Sequence, residues 1–399
     1  MQLQNQEIQM LQGNLGWAAQ KSMEILVALG KIYGARRMIP VTSVQISGVS
    51  YANLGEAGLQ FLDEMAQGGG KTRVLTTLNP AGMDIENWQI LGIDEKFAAN
   101  QMRVIDAYAR MNVVTTCTCT PYLSGNLPHY GEHIAWAESS AVCYANSVIG
   151  ARTNREGGPS ALAAALTGIT PEYGYHMRAE REPSITIRVN AEMEHNHQFG
   201  ALGKAISKVF EDRSIRPIPY IEGISQATLE NLKSFCASFA TYCGGALFHM
   251  ENITPESSLY PAPDRLVILN HKDIESSIET MHSVYEETID FISLGCPHLS
   301  IKEIARIAEL LQGKKVTKEF WITTSRPTKK IADSMGYSKI IEDSGAKFAV
   351  DTCCVVAPIK GRFRAIATDS AKACYYAFAQ NNMKTRLLSF DDTVFQALK

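Results

Sequence analysis

The sequence has neither a long apolar run nor an excess of positive charge. Its 399 residues carry 38 Lys and Arg against 41 Asp and Glu, a net charge of -3. Such a balance is not typical of a general nucleic-acid binder. A bilayer-spanning helix needs about 20 consecutive apolar residues, and the polar start, Met1–Gly13, lacks the apolar core of a signal peptide. We therefore expect a cytoplasmic protein that binds neither membranes nor nucleic acid.

The sequence also lacks the common zinc and nucleotide motifs. It has no C-x-x-C pair, no Walker loop and no G-x-G-x-x-G fingerprint. Cys117 and Cys119 are two positions apart, a spacing that puts both side chains on one side of an extended segment. Nine cysteines in a cytoplasmic chain favour thiols or metal ligands over disulfides. Four in apolar surroundings are expected to be small core residues: Cys143, Cys236, Cys243 and Cys374.

Strand-like and helix-like segments alternate along the chain, most plainly in its second half. This alternation predicts an α/β fold with parallel sheets covered by helices, with a soft internal boundary near 180–200. Residues 251–270 are expected to form an irregular loop. The predicted strands are 39–46, 72–77, 112–116, 184–190, 217–221, 246–250, 290–294, 318–324 and 347–351. The predicted helices are 14–34, 54–67, 94–111, 131–149, 195–210, 225–241, 274–286, 300–312, 327–338 and 370–380.

Three cysteines each follow a strand-like run: Cys119, Cys296 and Cys353. Residues just beyond the carboxyl ends of strands converge in α/β sheets. Three thiolates that meet in space can hold an iron–sulfur cluster, and a cubane held by three cysteines leaves one iron open as a Lewis acid. The alternative is a set of buried thiols.

Two turns and a polar segment are candidates for binding an anion. The turns follow predicted strands and can offer backbone N–H groups and hydroxyls to a phosphate or carboxylate, although Gly, Ser and Asn also occur in such turns for backbone reasons alone. Arginine and lysine side chains can supply charge, with a surface salt bridge as the alternative for each. The predicted substrate-binding residues are Ser47, Gly48, Val49, Ser50, Asn79, Pro80, Ala81, Gly82, Arg152, Asn154, Arg155 and Lys360.

Longer motifs connect these segments to a known family. They are Q-I-S-G-V-S-Y (45–51), T-T-L-N-P-A-G-M (76–83), T-C-T-P-Y (118–122), G-E-H-I-A-W-A-E-S-S-A-V (131–142), Y-A-N-S-V-I-G-A-R-T-N-R-E-G-G-P-S (144–160), G-C-P-H (295–298), D-T-C (351–353) and T-D-S-A-K (368–372). Together they resemble the large, catalytic subunit of the aconitase X family. The resemblance runs from near residue 14 to near residue 380, and the motif at 131–160 is its most specific part.

The resemblance implies a fold and a cofactor. The fold is aconitase-like, with three α/β domains around an iron–sulfur site and without the small swivelling domain, which we expect as a separate subunit in a heterodimer. The cluster ligands carry over onto Cys119, Cys296 and Cys353, with a 4Fe-4S cluster expected rather than 2Fe-2S. Cys117 and Cys354 are neighbours that compete for two of these assignments.

The resemblance also implies a reaction, the loss of water from a small hydroxy acid. One family activity dehydrates mevalonate 5-phosphate to trans-anhydromevalonate 5-phosphate in archaea, and segment 152–166 resembles that type. The alternatives are a cis-3-hydroxy-L-proline dehydratase and a non-catalytic iron–sulfur or scaffold subunit. Glu132 and His133 are predicted to assist the leaving group or to orient the iron-bound ligands, and Ser370 and Lys372 to reach the site. By family analogy, the base that removes the proton is expected on the small subunit.

Overall fold

The computed structural model describes residues 1–212, 214–284 and 288–399, and within them the strands form four sheets. The strands are β1 (Met38–Pro40), β2 (Ser43–Ile46), β3 (Leu75–Leu78), β4 (Ala135–Trp136), β5 (Ile169–Pro171), β6 (Ile185–Asn190), β7 (Pro219–Glu222), β8 (His249–Met250), β9 (Leu266–Asn270), β10 (Phe291–Leu294), β11 (Glu319–Thr324), β12 (Lys347–Val350), β13 (Ala365–Thr368) and β14 (Lys384–Leu387).

Three of the sheets are parallel. Their strand orders are β3-β2-β4, β8-β7-β6-β9 and β12-β11-β10-β13-β14. The fourth is the short antiparallel pair β1-β5. Because parallel strands need crossover connections, helices separate most of them along the chain. The parallel α/β architecture that the sequence predicts is therefore confirmed.

Helices follow the strands and cover the sheets. They are α1 (Asn5–Leu11), α2 (Trp17–Ile32), α3 (Tyr51–Gln67), α4 (Glu95–Arg110), α5 (Ser139–Tyr144), α6 (Gly158–Thr167), α7 (Asn196–Ser207), α8 (Leu229–Tyr242), α9 (His271–Glu279), α10 (Ile301–Leu311), α11 (Arg326–Ser334), α12 (Tyr337–Asp343), α13 (Ala371–Asn381) and α14 (Phe390–Gln396). No helix within the described ranges is both long and apolar enough to cross a bilayer.

Several helices begin at a polar residue that closely follows a strand end. Ser300 caps α10, where its hydroxyl accepts from the Glu303 N–H and its own N–H donates to the Glu303 carboxylate. Ser325 caps α11 and Ser370 caps α13 in the same way through their hydroxyls. Such caps satisfy N–H groups that a helix leaves unpaired at its start. They fix where each strand-to-helix loop ends, and the candidate site is built from these loops.

The segment 131–149 differs from the single helix that its sequence predicts. Residues 135–136 form β4, which pairs with β2, and the helix begins only at Ser139. The Glu138 carboxylate caps this helix by accepting the Ala141 N–H. A π-helical turn, residues 145–149, then follows α5. Polar side chains on both sides of Trp136 gave the segment an apparent helical period, whereas pairing with the sheet sets its structure.

Other boundaries also differ from the prediction. The predicted strand 39–46 is divided between β1 and β2, which lie in different sheets. The predicted strand 112–116 is reduced to one bridge, between Val114 and Thr77. The predicted loop 251–270 contains the edge strand β9. The predicted helix 327–338 is two helices, and the last two residues of predicted helix 274–286 lie outside the described residues.

The apolar core links the three parallel sheets. One buried cluster packs Phe235 and Phe248 around the β8-β7-β6-β9 sheet and also contains Val142 of α5 and Cys374 of α13. Helices beside the first and third parallel sheets thus share a core with the second. The carboxyl-end loops of the sheets consequently meet where α5, α8 and α13 come together.

Candidate active site

Cys119, Cys296 and Cys353 come from carboxyl-end loops of two sheets. Cys296 follows β10, Cys353 follows β12, and Cys119 follows the segment that bridges to β3. Two pairs of these thiols lie close enough for one to raise the pKa of the other. They are Cys119 with Cys353 and Cys353 with Cys296. The His298 N–H donates to Cys119 Sγ at 3.2 Å, which places residue 119 beside the Cys296 loop.

Burial dominates the electrostatics of these thiols. It raises the pKa of Cys119, Cys296 and Cys353, because a thiolate loses its hydration inside the protein. Lys372 opposes this effect at Cys119 and Cys296. Without a bound metal the three side chains are therefore neutral thiols near pH 7, and metal binding would have to displace their protons.

A buried ion pair lies next to the cysteines. Lys372 Nζ is 2.6 Å from Glu138 Oε1, and the two side chains are 11% and 5% exposed. Burial opposes the charge of each, but their mutual attraction lowers the pKa of Glu138 and raises that of Lys372. The Glu138 carboxylate also accepts the Ser140 hydroxyl at 2.6 Å. Both groups are therefore charged, fixed in position and within electrostatic range of Cys119 and Cys296.

The structure brings Ser370 as well as Lys372 to the cysteines. Ser370 hydrogen-bonds the Cys296 thiol and lines a small cavity with it. Its hydroxyl also accepts the Ala373 N–H at 3.1 Å as the cap of α13. Ser370 thus has both the structural role of a cap and a place beside the site.

The two predicted anion-binding turns lie side by side and are joined by Gln101. Its amide nitrogen donates to the Val49 carbonyl at 3.0 Å, and its amide oxygen accepts the Gly82 N–H at 3.0 Å. Ser50 donates to the Val356 carbonyl at 2.9 Å, and the Ala81 N–H to the Asp351 carbonyl at 2.8 Å. These bonds, with buried Pro80 beside them, fix the turns against the Cys353 loop.

Ser47, Gly48 and Asn79 are less enclosed than the rest of these turns. Ser47 and Asn79 are half-buried, and Gly48 is exposed with a φ of 79°, which favours glycine. The Asn79 Oδ1 atom is buried and has no hydrogen-bond partner among the described residues. These three residues are therefore the part of the turns that can still accept a ligand.

Arg326, which no sequence motif indicated, joins the chain just after the second turn, 79–82, to the Cys353 loop. Its guanidinium pairs with Asp351, with Asp84 at 2.9 Å and with Glu86 at 2.7 Å. Asp351 has a φ of 64° and precedes Cys353 by two residues. This network ties α11 to the chain just after Gly82.

Glu132, His133 and Arg152 lie at the other end of the sheet. Arg152 bridges to His133 just before β4, and the Arg152 N–H donates to the Glu132 carbonyl at 2.8 Å. The Thr42 N–H, before β2, donates to the His133 carbonyl at 2.9 Å. The amino ends of β2 and β4 therefore meet here, whereas Glu138 and the cysteines lie beyond the carboxyl ends. The structure does not bring Glu132 or His133 to the cysteines, because β4 separates them from Glu138.

The partners of these amino-end residues belong to the scaffold. Glu132 is hydrogen-bonded by the His129 N–H, and burial together with Arg152 lowers the pKa of His133. His133 Nδ1 is 3.0 Å from His176 Nδ1. A role of Glu132 and His133 in assisting the leaving group has no support from this geometry.

The remaining predicted anion-binding residues are also dispersed. The amide of Asn154 is engaged by the Tyr175 N–H and the Tyr173 carbonyl, so Asn154 supports the scaffold. Arg155 is exposed and lies close to the Ser47 end of the sheet, because residues 152–156 run alongside β4. Lys360 is exposed too and shows no contact with the two turns.

The neighbouring cysteines have different surroundings from the three. Cys117 has a φ of 44°, and its thiol lies beside the Ala81 backbone and near Asp351. Cys119 instead faces His298 and Glu138. The prediction that Cys117 and Cys119 lie on one side of an extended segment is therefore wrong, because the chain turns between them. The Cys354 thiol hydrogen-bonds Ser293.

Family models account for nearly the whole chain. Residues 1–179 match the aconitase X first domain, residues 183–286 the second domain and residues 289–399 the third domain. The chain belongs to the aconitase X family. A crystal structure of Thermococcus kodakaraensis aconitase X in its holo-form superposes with a TM-score of 0.92 at 41% identity, covering 100% of both chains. The aconitase-like fold that the resemblance implied is thereby confirmed.

Curated relatives of this aconitase X chain carry two names. It is 46% identical to the phosphomevalonate dehydratase large subunit of Methanocaldococcus jannaschii, over 94% of this chain and 95% of that protein. The corresponding subunit of Thermococcus kodakarensis is 42% identical over 100% of both. The cis-3-hydroxy-L-proline dehydratase of Hypocrea jecorina is 32% identical over 94% of this chain, but over only 65% of that protein.

The sequence analysis missed Glu138, His298, Arg326 and Gln101. A weak signal existed for two of them. Glu138 precedes two serines at a helix start, where a carboxylate can cap, and His298 ends the G-C-P-H motif. Arg326 and Gln101 act through partners distant in sequence, which no local pattern indicates.

Proposed function

We propose that this chain is the large subunit of a hydro-lyase that dehydrates (R)-mevalonate 5-phosphate to trans-anhydromevalonate 5-phosphate, a step of an archaeal mevalonate pathway. The observation that carries the proposal is the 42–46% identity, over 94–100% of this chain, to four archaeal phosphomevalonate dehydratase large subunits. The cis-3-hydroxy-L-proline dehydratases are 31–32% identical and extend well beyond the matched region, which favours the phosphomevalonate substrate over hydroxyproline.

The site residues fit an iron–sulfur cluster, which we propose as 4Fe-4S held by Cys119, Cys296 and Cys353. The donor set is three thiols from three loops, and Cys353 lies within electrostatic range of both Cys119 and Cys296. The N–H of His298 already points at Cys119 Sγ, and hydrogen bonds to cluster sulfurs tune such centres. Lys372 places a positive charge beside two of the thiols, which favours their ionised form.

When bound, such a cluster supplies a Lewis acid for the departing hydroxyl group. The residues of this chain position and balance charge around it. Lys372 keeps its proton on Nζ, held there by Glu138 Oε1, so a fixed ammonium lies beside Cys119 and Cys296. Ser370 Oγ supplies a hydroxyl next to Cys296. Loss of water also needs removal of a weakly acidic proton next to the carboxylate, and we assign that base to the small subunit.

The anionic groups of the substrate would lie at the open parts of the two turns. Ser47, Gly48 and Asn79 offer a hydroxyl, a backbone amide and a side-chain amide there. Arg155 is an exposed cation in the segment that runs alongside β4, and it would pair with the phosphate. We assign no substrate contact to Arg152, Asn154 or Lys360.

We further propose a separate small, swivelling subunit as the partner, in a heterodimer. The relatives that this chain matches over nearly their whole length are named large subunits. About a third of the length of a hydroxyproline relative lies outside the region that this chain matches, as expected if that relative carries the swivelling part in the same chain. On this proposal the isolated chain binds the cluster but turns over little substrate.

The test is to produce this chain with a family small subunit, without oxygen, and to measure iron, sulfide and product. Four irons per chain together with alkene formation from mevalonate 5-phosphate, followed by NMR, are expected. Turnover of cis-3-hydroxy-L-proline instead would transfer the assignment to the other activity. Bound iron without turnover of either would favour a non-catalytic subunit, and the absence of iron would refute the cluster.

A further inference from the structure

We infer that His298 is a positioning residue that holds the three cysteine loops and the neighbouring second-domain helix in one arrangement. The inference rests on the proposed cluster site. It concerns how the protein builds that site, and it assigns His298 no contact with substrate.

The four polar groups of His298 bind three different parts of the chain. Its N–H donates to Cys119 Sγ at 3.2 Å, and its carbonyl accepts from Lys233 Nζ in α8 at 2.8 Å. Its ring contacts Thr118 Oγ1 through Nδ1 at 3.0 Å and the Thr352 carbonyl through Nε2 at 2.9 Å. His298 itself lies two residues after Cys296. One side chain therefore connects the loops of all three cysteines.

The partners of the two ring nitrogens determine which tautomer His298 adopts. The Thr352 carbonyl can only accept, so Nε2 of His298 carries the proton and donates. Nδ1 is then an acceptor and takes the hydroxyl proton of Thr118. The same Thr118 oxygen accepts the Thr120 N–H at 3.2 Å, so its own proton is free for the ring. A neutral imidazole satisfies both partners at once.

His298 is fully buried, so water cannot replace the hydrogen bonds that it makes. Its exposed fraction is 0%, as are those of Thr118 and Thr352. A buried polar group that loses its partner stays unpaired, which is unfavourable because water cannot reach it. The carbonyl bond to Lys233 is supported in turn by the buried pair of Lys233 with Glu303, at 2.7 Å. Loss of the ring would therefore release the Cys119 and Cys353 loops from each other.

Three substitutions separate the two ring bonds. His298→Asn keeps an acceptor near the Nδ1 position, His298→Gln keeps a donor near the Nε2 position, and His298→Phe keeps neither. The backbone bond to Cys119 remains possible in all three. His249→Gln is the matched control, because His249 is also 0% exposed and also bonds a carbonyl, that of Arg181 at 2.8 Å, in the second domain.

The first measurement is the rate at which the anaerobically reconstituted protein loses iron to a chelator, followed by visible absorbance. We expect His298→Phe to lose iron about 10- to 100-fold faster than wild type, in line with other residues that orient metal ligands. The Asn and Gln variants should fall between, as partial rescues, and His249→Gln should match wild type. Equal rates in wild type and His298→Phe would overturn the inference.

The second measurement needs no cluster. Alkylation of the metal-free protein, read by mass spectrometry for each cysteine, should be roughly tenfold faster at Cys119 and Cys353 in His298→Phe, while Cys236 stays at the wild-type rate. Unchanged rates at all three would overturn the inference even if wild type bound no iron, an outcome that would refute the proposed function separately. Circular dichroism identifies a variant that fails to fold, in which case Asn and Gln decide.

Discussion

The two ends of the β3-β2-β4 sheet carry polar clusters built from similar residues, and they have opposite characters. At the amino end, the Glu132 carboxylate accepts the His129 N–H. The backbone carbonyls of Glu132 and His133 accept the N–H groups of Arg152 and Thr42. At the carboxyl end, Glu138 pairs with Lys372 beside two of the three cysteines. Glu132 and Glu138 are six positions apart in sequence, yet the strand between them assigns one to the scaffold and the other to the site.

Both clusters contain titratable groups, but the charge state of the buried groups differs between the two clusters. The Glu138 and Lys372 side chains are 5% and 11% exposed and hold each other charged. Burial instead lowers the pKa of buried His176 and, together with Arg152, that of half-buried His133, which favours the neutral form of both. A buried charge that is fixed next to reactive groups is typical of an active site, whereas the neutral imidazoles fit a structural role.

The largest expected effect is at the cysteines. Cys119→Ala, Cys296→Ala and Cys353→Ala should each abolish iron binding and turnover, because a cubane with two protein ligands is not retained. Iron analysis and substrate NMR measure both. Cys243→Ala is the control, since Cys243 is half-buried in the second domain. Retention of four irons in any of the three variants would mean that Cys117 or Cys354 is the ligand instead.

Next in size is the buried ion pair. Glu138→Gln leaves the Lys372 cation buried and unpaired, which should cost about 3–5 kcal/mol in the free energy of unfolding and lower turnover by about 10²-fold or more. Chemical denaturation and steady-state kinetics measure the two. Replacing both residues with apolar ones, Glu138→Leu with Lys372→Met, should restore stability but not turnover. Recovery of turnover in the double variant would make the pair purely structural.

His176, which contacts His133 of the amino-end cluster, should make the free energy of unfolding depend on pH. The pKa of His176 is lowered to about 3 by burial, so the native state resists a proton that the unfolded state accepts below about 6.5. Stability from this group is present at neutral pH and is lost as pH falls through the unfolded value, by about 2 kcal/mol between pH 7 and 5. Between pH 7 and 5, the free energy of unfolding of His176→Phe should fall by about 2 kcal/mol less than that of wild type. Denaturation at several pH values measures this slope.

An unchanged slope in His176→Phe would show that His176 is protonated in the native state.

The smallest effect tests the comparison directly. Glu132→Gln and His133→Gln should change turnover by no more than about threefold, the size expected of substitutions away from special features. Steady-state kinetics on the complex with the small subunit measures this. A loss of turnover comparable with that of Glu138→Gln, at unchanged stability, would mean that the amino-end cluster takes part in the reaction. The two ends of the sheet would then not differ in function.

The sequence was sufficient for the fold class, and it indicated several residues of the proposed site. Strand-end position alone indicated Cys119, Cys296 and Cys353, and the capping pattern placed Ser370 and Lys372 at a helix start. It failed at 131–149, where polar residues grouped on both sides of the apolar block around Trp136 imitate a helical period, while pairing with β2 decides the structure. It also missed Gln101 and Arg326, because their partners Val49 and Asp84 are far away in sequence.

The origin of the three cysteines in separate loops has a consequence for biosynthesis. Cys119 is made 234 positions before Cys353, and the ribosome adds about 5–20 residues per second, so roughly 10 to 50 seconds separate them. Throughout that interval the nascent chain exposes an incomplete set of thiols. Iron delivered early would find one ligand or two, and loading of the proposed site must therefore wait until almost the whole chain has been translated.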